Sequence, residues 1–289
     1  MAKLNIQALS RQNKYVMRSM IADEGKVFVS VDLAAGEPTV IAEYSKDPIY
    51  KAVTFDMVGK DPYYNKQGIL LLDDIYLAGM SVSPMGKALI RELFDNGVDG
   101  VPFVDQWRKD KEVIQKKVLK KARAFHKILM LGLGYSMGPK KMVKQAFNAG
   151  FKLTVADSKA FFKAYWNMFE KVANLRDTLA MKYEREGRLV NQFGYALYPD
   201  SSHKALNYWI QSSVSGIVNL LCHIFFTKCK YAEFVTIIHD EKIFQIPEDK
   251  VDETKKLLDE SVEELNKILN WSVKIKVGFV VGKNLYEAK

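Results

Sequence analysis

Apolar and polar positions alternate over residues 26–32, Lys-Val-Phe-Val-Ser-Val-Asp, and the β-branched content predicts a strand ending at Asp32. Pro38 fits the first turn of a following helix that carries Val40, Ile41 and Tyr44. Residues 49–104 divide poorly, apart from a helix around Pro84–Phe94. Residues 107–131 carry a long helical pattern, punctuated at its end by Gly132, Gly134 and Gly138-Pro139. A helical pattern over 155–186 is followed by a hairpin at 188–198 and an apolar helix at 203–228. Strands are predicted at Phe234–Ile238 and Lys242–Ile246, with His239-Asp240-Glu241 as the turn between them. A charged amphipathic helix over Val251–Leu269 and a strand over Val273–Val280 complete the chain. The order is strand, then mostly helix, then strands again. It predicts an α+β fold whose antiparallel sheet is assembled from both chain ends around a large helical insertion.

The 289 residues suffice for one large domain or two interlocked ones. A content of 48% hydrophobic and 27% charged residues argues against wholesale disorder. No uninterrupted apolar run reaches the ~18 residues of a membrane span, and the N-terminus has no signal-peptide core, so no membrane partner is expected. Two cysteines exclude a disulfide scaffold, and with four histidines they exclude a Cys/His zinc cluster. A reduced, cytoplasmic setting is expected (the host cytoplasm if the source is viral). The 43 basic against 34 acidic residues give a net charge of +9, a weak pointer to a polyanionic partner. Nine of the basic residues fall between Arg108 and Lys127, against two acids, Asp110 and Glu112. A solvated helix face would explain that stretch equally well.

Asp32 ends one predicted strand and Asp240 stands in the turn between two others. If those strands are neighbours, the two carboxylates converge at a sheet edge. With no His or Cys beside them they suit hard divalent ions such as Mg2+. Two such ions activate an attacking oxygen and stabilise a leaving one in phosphoryl transfer. Taken alone, a strand-end Asp and an Asp-Glu turn are more often a cap and a hairpin.

Arg123, Lys127, Leu131 and Tyr135 recur every four residues and form a slowly winding helical stripe about 18 Å long. Arg and Lys at one end suit phosphates, and Tyr135 at the other suits a sugar or base, so the span matches a nucleoside triphosphate. Gly132 and Gly134 each cost a helix up to ~1 kcal/mol relative to Ala and need a reason, such as close approach of a base or a hinge. The ordinary alternative is that Leu131 and Tyr135 are core and the cations solvated.

These pieces occur together and in order in one family. The chain resembles the polymerase domain of family A DNA polymerases, the group of bacterial DNA polymerase I and many phage replicases. The family's first motif, a strand then D-Y-S-Q-I-E-L-R, is matched by Asp32-Leu-Ala-Ala-Gly-Glu37-Pro-Thr39. Its R-x3-K-x7-Y-G is matched by Arg123, Lys127 and Tyr135, and its V-H-D-E by Ile238-His239-Asp240-Glu241. Its N-x3-Q is matched by Asn207 and Gln211, and its G-x-N-W-x-E-A close resembles Gly282-Lys-Asn-Leu-Tyr-Glu-Ala288. Asn5-Ile6-Gln7 resembles the family's N-L-Q-N-I-P stretch.

The resemblance implies a DNA-templated DNA polymerase that transfers a nucleotide from a dNTP to a primer 3′-hydroxyl with two Mg2+ ions, or Mn2+ in their place. It implies that Asp32 and Asp240 are the metal ligands. Arg123 and Lys127 would hold the triphosphate, Lys127 also protonating the leaving pyrophosphate. Glu37 and Tyr135 would close the space of a ribose 2′-hydroxyl, with Leu131 in the stripe's aromatic position. Asn207 and Gln211 would contact the primer–template duplex in its minor groove, and His239 and Glu241 would support the primer end, Glu241 also counting among the catalytic residues with Asp32, Asp240 and Lys127. Residues 1–48 and 188–289 would form the palm and 49–187 the fingers of a right-hand polymerase.

Several positions depart from the pattern. Thr39 stands where the family has Arg, Ser136 replaces a Gly, and Gly194-Tyr195-Ala196 stands where many members show Gly-Arg-Arg. The family's thumb and T-G-R-x-S segment, and in many members an exonuclease, would precede Asn5. Three explanations are open: a second polypeptide supplies the thumb, with or without an exonuclease, the sequence is a fragment, or the protein works without a thumb; the first, a split phage-type polymerase without proofreading of its own, is the expectation. The rival expectations are a catalytically silent nucleic-acid-binding subunit and a single-subunit RNA polymerase or reverse transcriptase on a similar palm.

Overall fold

The computed structural model describes residues 14–56, 60–134, 137–238 and 241–288. The elements that place the site are, in chain order, β1 (Lys26–Leu33), α1 (Gly36–Ser45), α2 (Ile75–Ala78), α3 (Pro84–Asn96), α4 (Phe103–Val113), α5 (Lys120–Gly134), α6 (Pro139–Asn148), α7 (Val155–Met168) and α8 (Glu170–Glu186). They continue with α9 (Ala205–Lys228), β2 (Glu233–Ile238), β3 (Glu241–Pro247), α10 (Val251–Leu269) and β4 (Val277–Gly282). The chain divides into a sheet unit, residues 1–36 with 213–289, and a helical unit, residues 37–212.

In the sheet unit the strand order is β2-β3-β1-β4, every neighbouring pair antiparallel. The expected sheet built from both chain ends is thus present. β1 is central and needs apolar residues on both faces, and it is buried throughout except at Lys26 and Asp32. Register sorts the faces. Val29 opposes Phe244 and Val31 opposes Lys242, on the face covered by Leu221 and Phe225 of α9 and Leu258 of α10. Phe225 and Phe244 rings lie 5.0 Å apart there. Phe28 and Ile243 lie on the other face and cluster with Met17, Ile238, Leu285 and Ala288. Ser30 and Asp32 share the face of Phe28 and Ile243, because side chains alternate with period two.

The terminal strand begins at Val277, four residues later than its sequence pattern predicts. The Asn266 side chain of α10 takes both the N–H and the C=O of Ile275, at 2.8 and 3.0 Å, so that backbone is held outside a ladder. The expectation that no segment is long and apolar enough for a membrane is corrected for Ser202–Lys228, a 27-residue stretch that qualifies by length and composition. In the sheet unit its Val214, Ile217, Val218, Leu221, Ile224 and Phe225 are buried, as in the core helix of a globular domain.

In the helical unit, Leu70, Leu72, Leu77, Met80, Ile90, Leu93, Phe103, Trp107, Ile114 and Leu119 form one core cluster. The long helix expected over 107–131 is broken. Asp110 leaves helical geometry (φ −155°, ψ 72°), and its carboxylate accepts from Val113 N at 2.9 Å to restart the turn. Residues Ile114–Val118 then form a π turn in which Leu119 N donates to Ile114 O at 2.9 Å. An α-helix would put positions five apart on different sides, whereas the wider turn lets Ile114 and Leu119 share the core. The helix expected over 155–186 breaks at Phe169, which is fully buried and packs its ring 4.8 Å from both Tyr50 and Tyr165. A capping box at Thr154–Asp157 starts α7, and Gly187 at φ 69° ends α8. The hairpin expected at 188–198 is a two-residue ladder, Leu189–Val190 with Ala196–Leu197.

Candidate active site

In the sheet unit, β1 and β3 are neighbours, as convergence of the acids requires. Asp32 is the exposed residue near the end of β1, opposite Gly278 of β4, so no side chain crowds it from that strand. Glu241 opens β3, and the buried Ser30 hydroxyl donates to its Oε1. Ser30 and Asp32 lie two apart on one face, and Glu241 is tied to that face by this bond. Ile238 and Glu241 are paired across β2 and β3. His239 and Asp240, between them, lie outside the described residues. The donors present are all oxygen, on a strand end open to solvent. That fits a hard cation that takes one or two carboxylates and completes its shell with phosphate and water. Among the described residues no three or more His, Cys, Asp or Glu side chains form a closed metal cage.

In the helical unit, Arg123, Lys127 and Leu131 lie along α5 as the stripe predicts, and Tyr135 lies outside the described residues. Three residues that sequence reasoning missed organise the cation end. Asp74 caps α2, its Oδ1 accepting from Tyr76 N and Leu77 N at 2.9 and 3.3 Å. Its Oδ2 accepts from Arg123 Nε at 2.6 Å. Tyr76 lies under both cations, its ring centroid 5.2 Å from Arg123 Cζ and 5.7 Å from Lys127 Nζ. Burial, then the charges of Glu37 and Asp74, push its hydroxyl up to about 12, and Arg123 partly offsets them. The phenol is therefore a neutral donor at neutral pH. The signal available in sequence was Asp74 before a short apolar turn, an N-cap pattern.

The third is His126, fully buried, whose Nδ1–H donates to Ala122 O at 2.7 Å. Its Nε2 therefore accepts from the Ser83 hydroxyl at 2.6 Å, while Ser83 Oγ accepts from Gly86 N at 3.0 Å as the cap of α3. The residue beside Lys127 is thus bolted to the start of α3. Burial lowers the His126 pKa to about 4, against a weaker opposing effect of its bond to Ala122.

Beside the stripe is a small pocket lined by Glu37, Tyr76, Leu131, Gly134, Tyr165 and Trp166 among others. Glu37 and Leu131 therefore meet at one pocket. Gly134 has open space where a Cβ would stand, whereas a Cβ on Gly132 would meet Met137 Cε at 3.0 Å. Of the two glycines, only Gly132 has a packing reason. Thr39 is buried, at 5% exposure, and needs no compensating charge. Asn207 and Gln211 stand one turn apart on α9. Asn207 Oδ1 is buried without a hydrogen-bond partner among the described residues, and Gln211 is exposed. Part of the basic stretch is spent internally: Arg108 pairs with Asp61 and Asp105, Lys111 with Asp73, Lys116 with Glu112 and Arg123 with Asp74. Lys109, Lys117, Lys120, Lys121 and Lys127 make no ion pair with a described residue and stay available to an anion.

A four-stranded antiparallel sheet with an acid at the end of its central strand, and a separate helix carrying Arg and Lys above an aromatic pocket, define a palm-and-fingers class of protein. The description "DNA polymerase family A" matches residues 87–287, and the chain belongs to that family. It is 20% identical over 286 residues to DNA polymerase I of Aquifex aeolicus, a match covering 96% of this chain and 42% of that protein. It is also similar in fold to the POL domain of Pol1 from M. smegmatis, solved in complex with DNA primer-template and dNTP. The TM-score is 0.71 at 17% identity, covering 98% of this chain and 45% of that one. The chain thus spans under half the length of each.

Proposed function

We propose that this chain catalyses template-directed transfer of a nucleotide from a dNTP to a primer 3′-hydroxyl. The observation that carries the reading is the α5 stripe, with Arg123 and Lys127 over Tyr76 and Leu131 meeting Glu37 at one pocket. In this reading the sheet unit acts as palm and the helical unit as fingers. Arg123 and Lys127 hold the triphosphate, Arg as a planar fork and Lys as a point charge. Asp74 keeps the Arg123 guanidinium extended before substrate arrives, which lowers the entropy cost of ordering it. Lys127 is then the candidate proton donor to the leaving pyrophosphate. Glu37 limits the space beside the sugar and so selects against a 2′-hydroxyl. Asn207 and Gln211, one turn apart on α9, are assigned to the minor-groove edge of the duplex.

Asp32, with Asp240, would hold divalent cations, and Glu241 braces the site through Ser30. Such cations, when bound, supply positive charge where negative charge develops in the transition state. The test is primer extension by the wild-type chain and by Asp32→Asn. Loss of nucleotide addition with an unchanged far-ultraviolet circular dichroism spectrum is expected, since several kcal/mol of transition-state binding go with the carboxylate. Near-normal extension by Asp32→Asn would remove Asp32 from the assignment. Co-purification with a second polypeptide, and extension with and without it, tests the split-polymerase expectation.

A further inference from the structure

Residues 74–83 grip α5 at two places. At the start of the segment Asp74 holds Arg123 Nε at 2.6 Å, and Tyr76 lies beneath Arg123 and Lys127. At its end Ser83, 4% exposed, meets the fully buried His126. Between the two grips the backbones come close, since a Cβ on Gly79 would collide with Met130 Sδ of α5.

The polar chain at the second grip runs in one direction. Ala122 O can only accept, so His126 Nδ1 carries the proton and donates to it at 2.7 Å. Nε2 is then the acceptor for the Ser83 hydroxyl at 2.6 Å, and Ser83 Oγ accepts from Gly86 N at 3.0 Å. Each bond polarises the next. The other buried side chains of α5, Ala122, Phe125, Leu129, Met130 and Leu133, are apolar. Apolar contacts have no preferred direction, whereas a hydrogen bond weakens steeply once bent, so His126 fixes the rotation of the helix most sharply.

The two substrate cations depend on that rotation differently. Arg123 has its own anchor in Asp74. Lys127 makes no ion pair with a described residue, so apart from the Tyr76 ring, 5.7 Å from its Nζ, the place of its ammonium follows from the backbone at 126–127. His126 stands about 100° around the helix from Lys127. A rotation of about 10° would shift a group at the outer radius of α5, ~5–6 Å, by about 1 Å. Misplacement of that size costs up to about 100-fold in rate.

We infer that the Ser83–His126 bond is a latch that sets the position of Lys127 on the incoming triphosphate, which makes Ser83 and His126 positioning residues for nucleotide transfer. This rests on the polymerase reading above. Neither residue lines the nucleotide pocket, so both act through α5.

The test is single-nucleotide primer extension by the full 289-residue chain, with rates normalised to the active fraction from the burst amplitude and primer–template affinity measured alongside by fluorescence anisotropy. His126→Phe keeps the bulk of a ring and loses both hydrogen bonds. Ser83→Ala loses the hydroxyl, and Ser83→Thr keeps it. In His126→Phe and Ser83→Ala, kcat/KM for the dNTP is expected to fall about tenfold, and in Ser83→Thr to stay within about twofold of wild type. Primer–template affinity is expected to hold in all three. In a Lys127→Ala background, itself impaired, His126→Phe is expected to add no further loss, because the latch then has nothing left to position. Should His126→Phe fail to fold, the Ser83→Ala and Ser83→Thr pair decides. Near-wild-type kcat/KM in both His126→Phe and Ser83→Ala, equal loss in Ser83→Ala and Ser83→Thr, or an undiminished His126→Phe loss in the Lys127→Ala background would overturn the latch and leave the polymerase reading in place. A wild-type chain that extends no primer would overturn that reading and the latch with it.

Discussion

Replacing His126 by Ala tests whether a buried neutral imidazole holds α5 in place. His126 is 0% exposed, its Nδ1–H is committed to Ala122 and its Nε2 to Ser83, at 2.7 and 2.6 Å. Truncation removes a buried ring and leaves the Ser83 hydroxyl without an acceptor, which together cost about 3 kcal/mol at neutral pH. The pH dependence is more diagnostic. The folded-state pKa, about 4, lies below the ordinary value of 6.5. Between those values the unfolded chain binds a proton that the folded chain refuses, so stability falls as pH falls through this window. The full contribution is present above about pH 6.5, about 2 kcal/mol of it is gone by pH 5, and about 3 by pH 4. Carboxylates titrate alike in wild type and variant and cancel in the difference. Urea unfolding followed by far-ultraviolet circular dichroism should therefore show a wild-type advantage over His126→Ala that shrinks by about 2 kcal/mol between pH 7.5 and pH 5. An advantage that stays constant across that range would refute the buried, neutral imidazole.

Glu37→Ala should raise ribonucleotide incorporation relative to deoxynucleotide in single-nucleotide extension, because Glu37 lines the pocket with Leu131; an unchanged ratio places sugar selection elsewhere. Leu131→Tyr brings a hydroxyl to the sugar side of the stripe and should increase dideoxynucleotide use, read as termination on a sequencing ladder; equal termination by both forms counts against that placement. Lys242 is 8% exposed on the apolar side of the sheet among Val31, Leu221, Cys222 and Phe244, without an ion pair to a described residue. Lys242→Met should therefore raise stability by about 1 kcal/mol and the melting temperature by about 2 °C, and a lower melting temperature would mean that the ammonium has a stabilising contact.

Local pattern was enough for elements whose register with their surroundings is simple. β1 was legible from its β-branched run and ends at Leu33, one residue past Asp32, and Val251–Leu269 is amphipathic from first residue to last, because one face of that helix meets the core and period alone reports it. The matched spacing of Arg123, Lys127 and Leu131 likewise survives folding, since a helix preserves its own repeat. What the pattern could not carry was set by groups distant in sequence. The π turn before α5 exists because Ile114 and Leu119 must both reach a core made by Leu70, Met80 and Leu93. The break at Phe169 exists because Tyr50 and Tyr165 take its ring. The late start of β4 follows from one asparagine on α10. In the site, Asp74 showed only as a helix cap and nothing in the pattern tied it, Tyr76 or Ser83 to α5, on which each acts from 43 to 51 residues away in sequence. Sequence determined which residues carry charge and at what helical spacing. Tertiary structure decided which of those charges are already neutralised by a neighbour, because a carboxylate within hydrogen-bond reach of one guanidinium and out of reach of the next lysine is a fact of packing and not of periodicity.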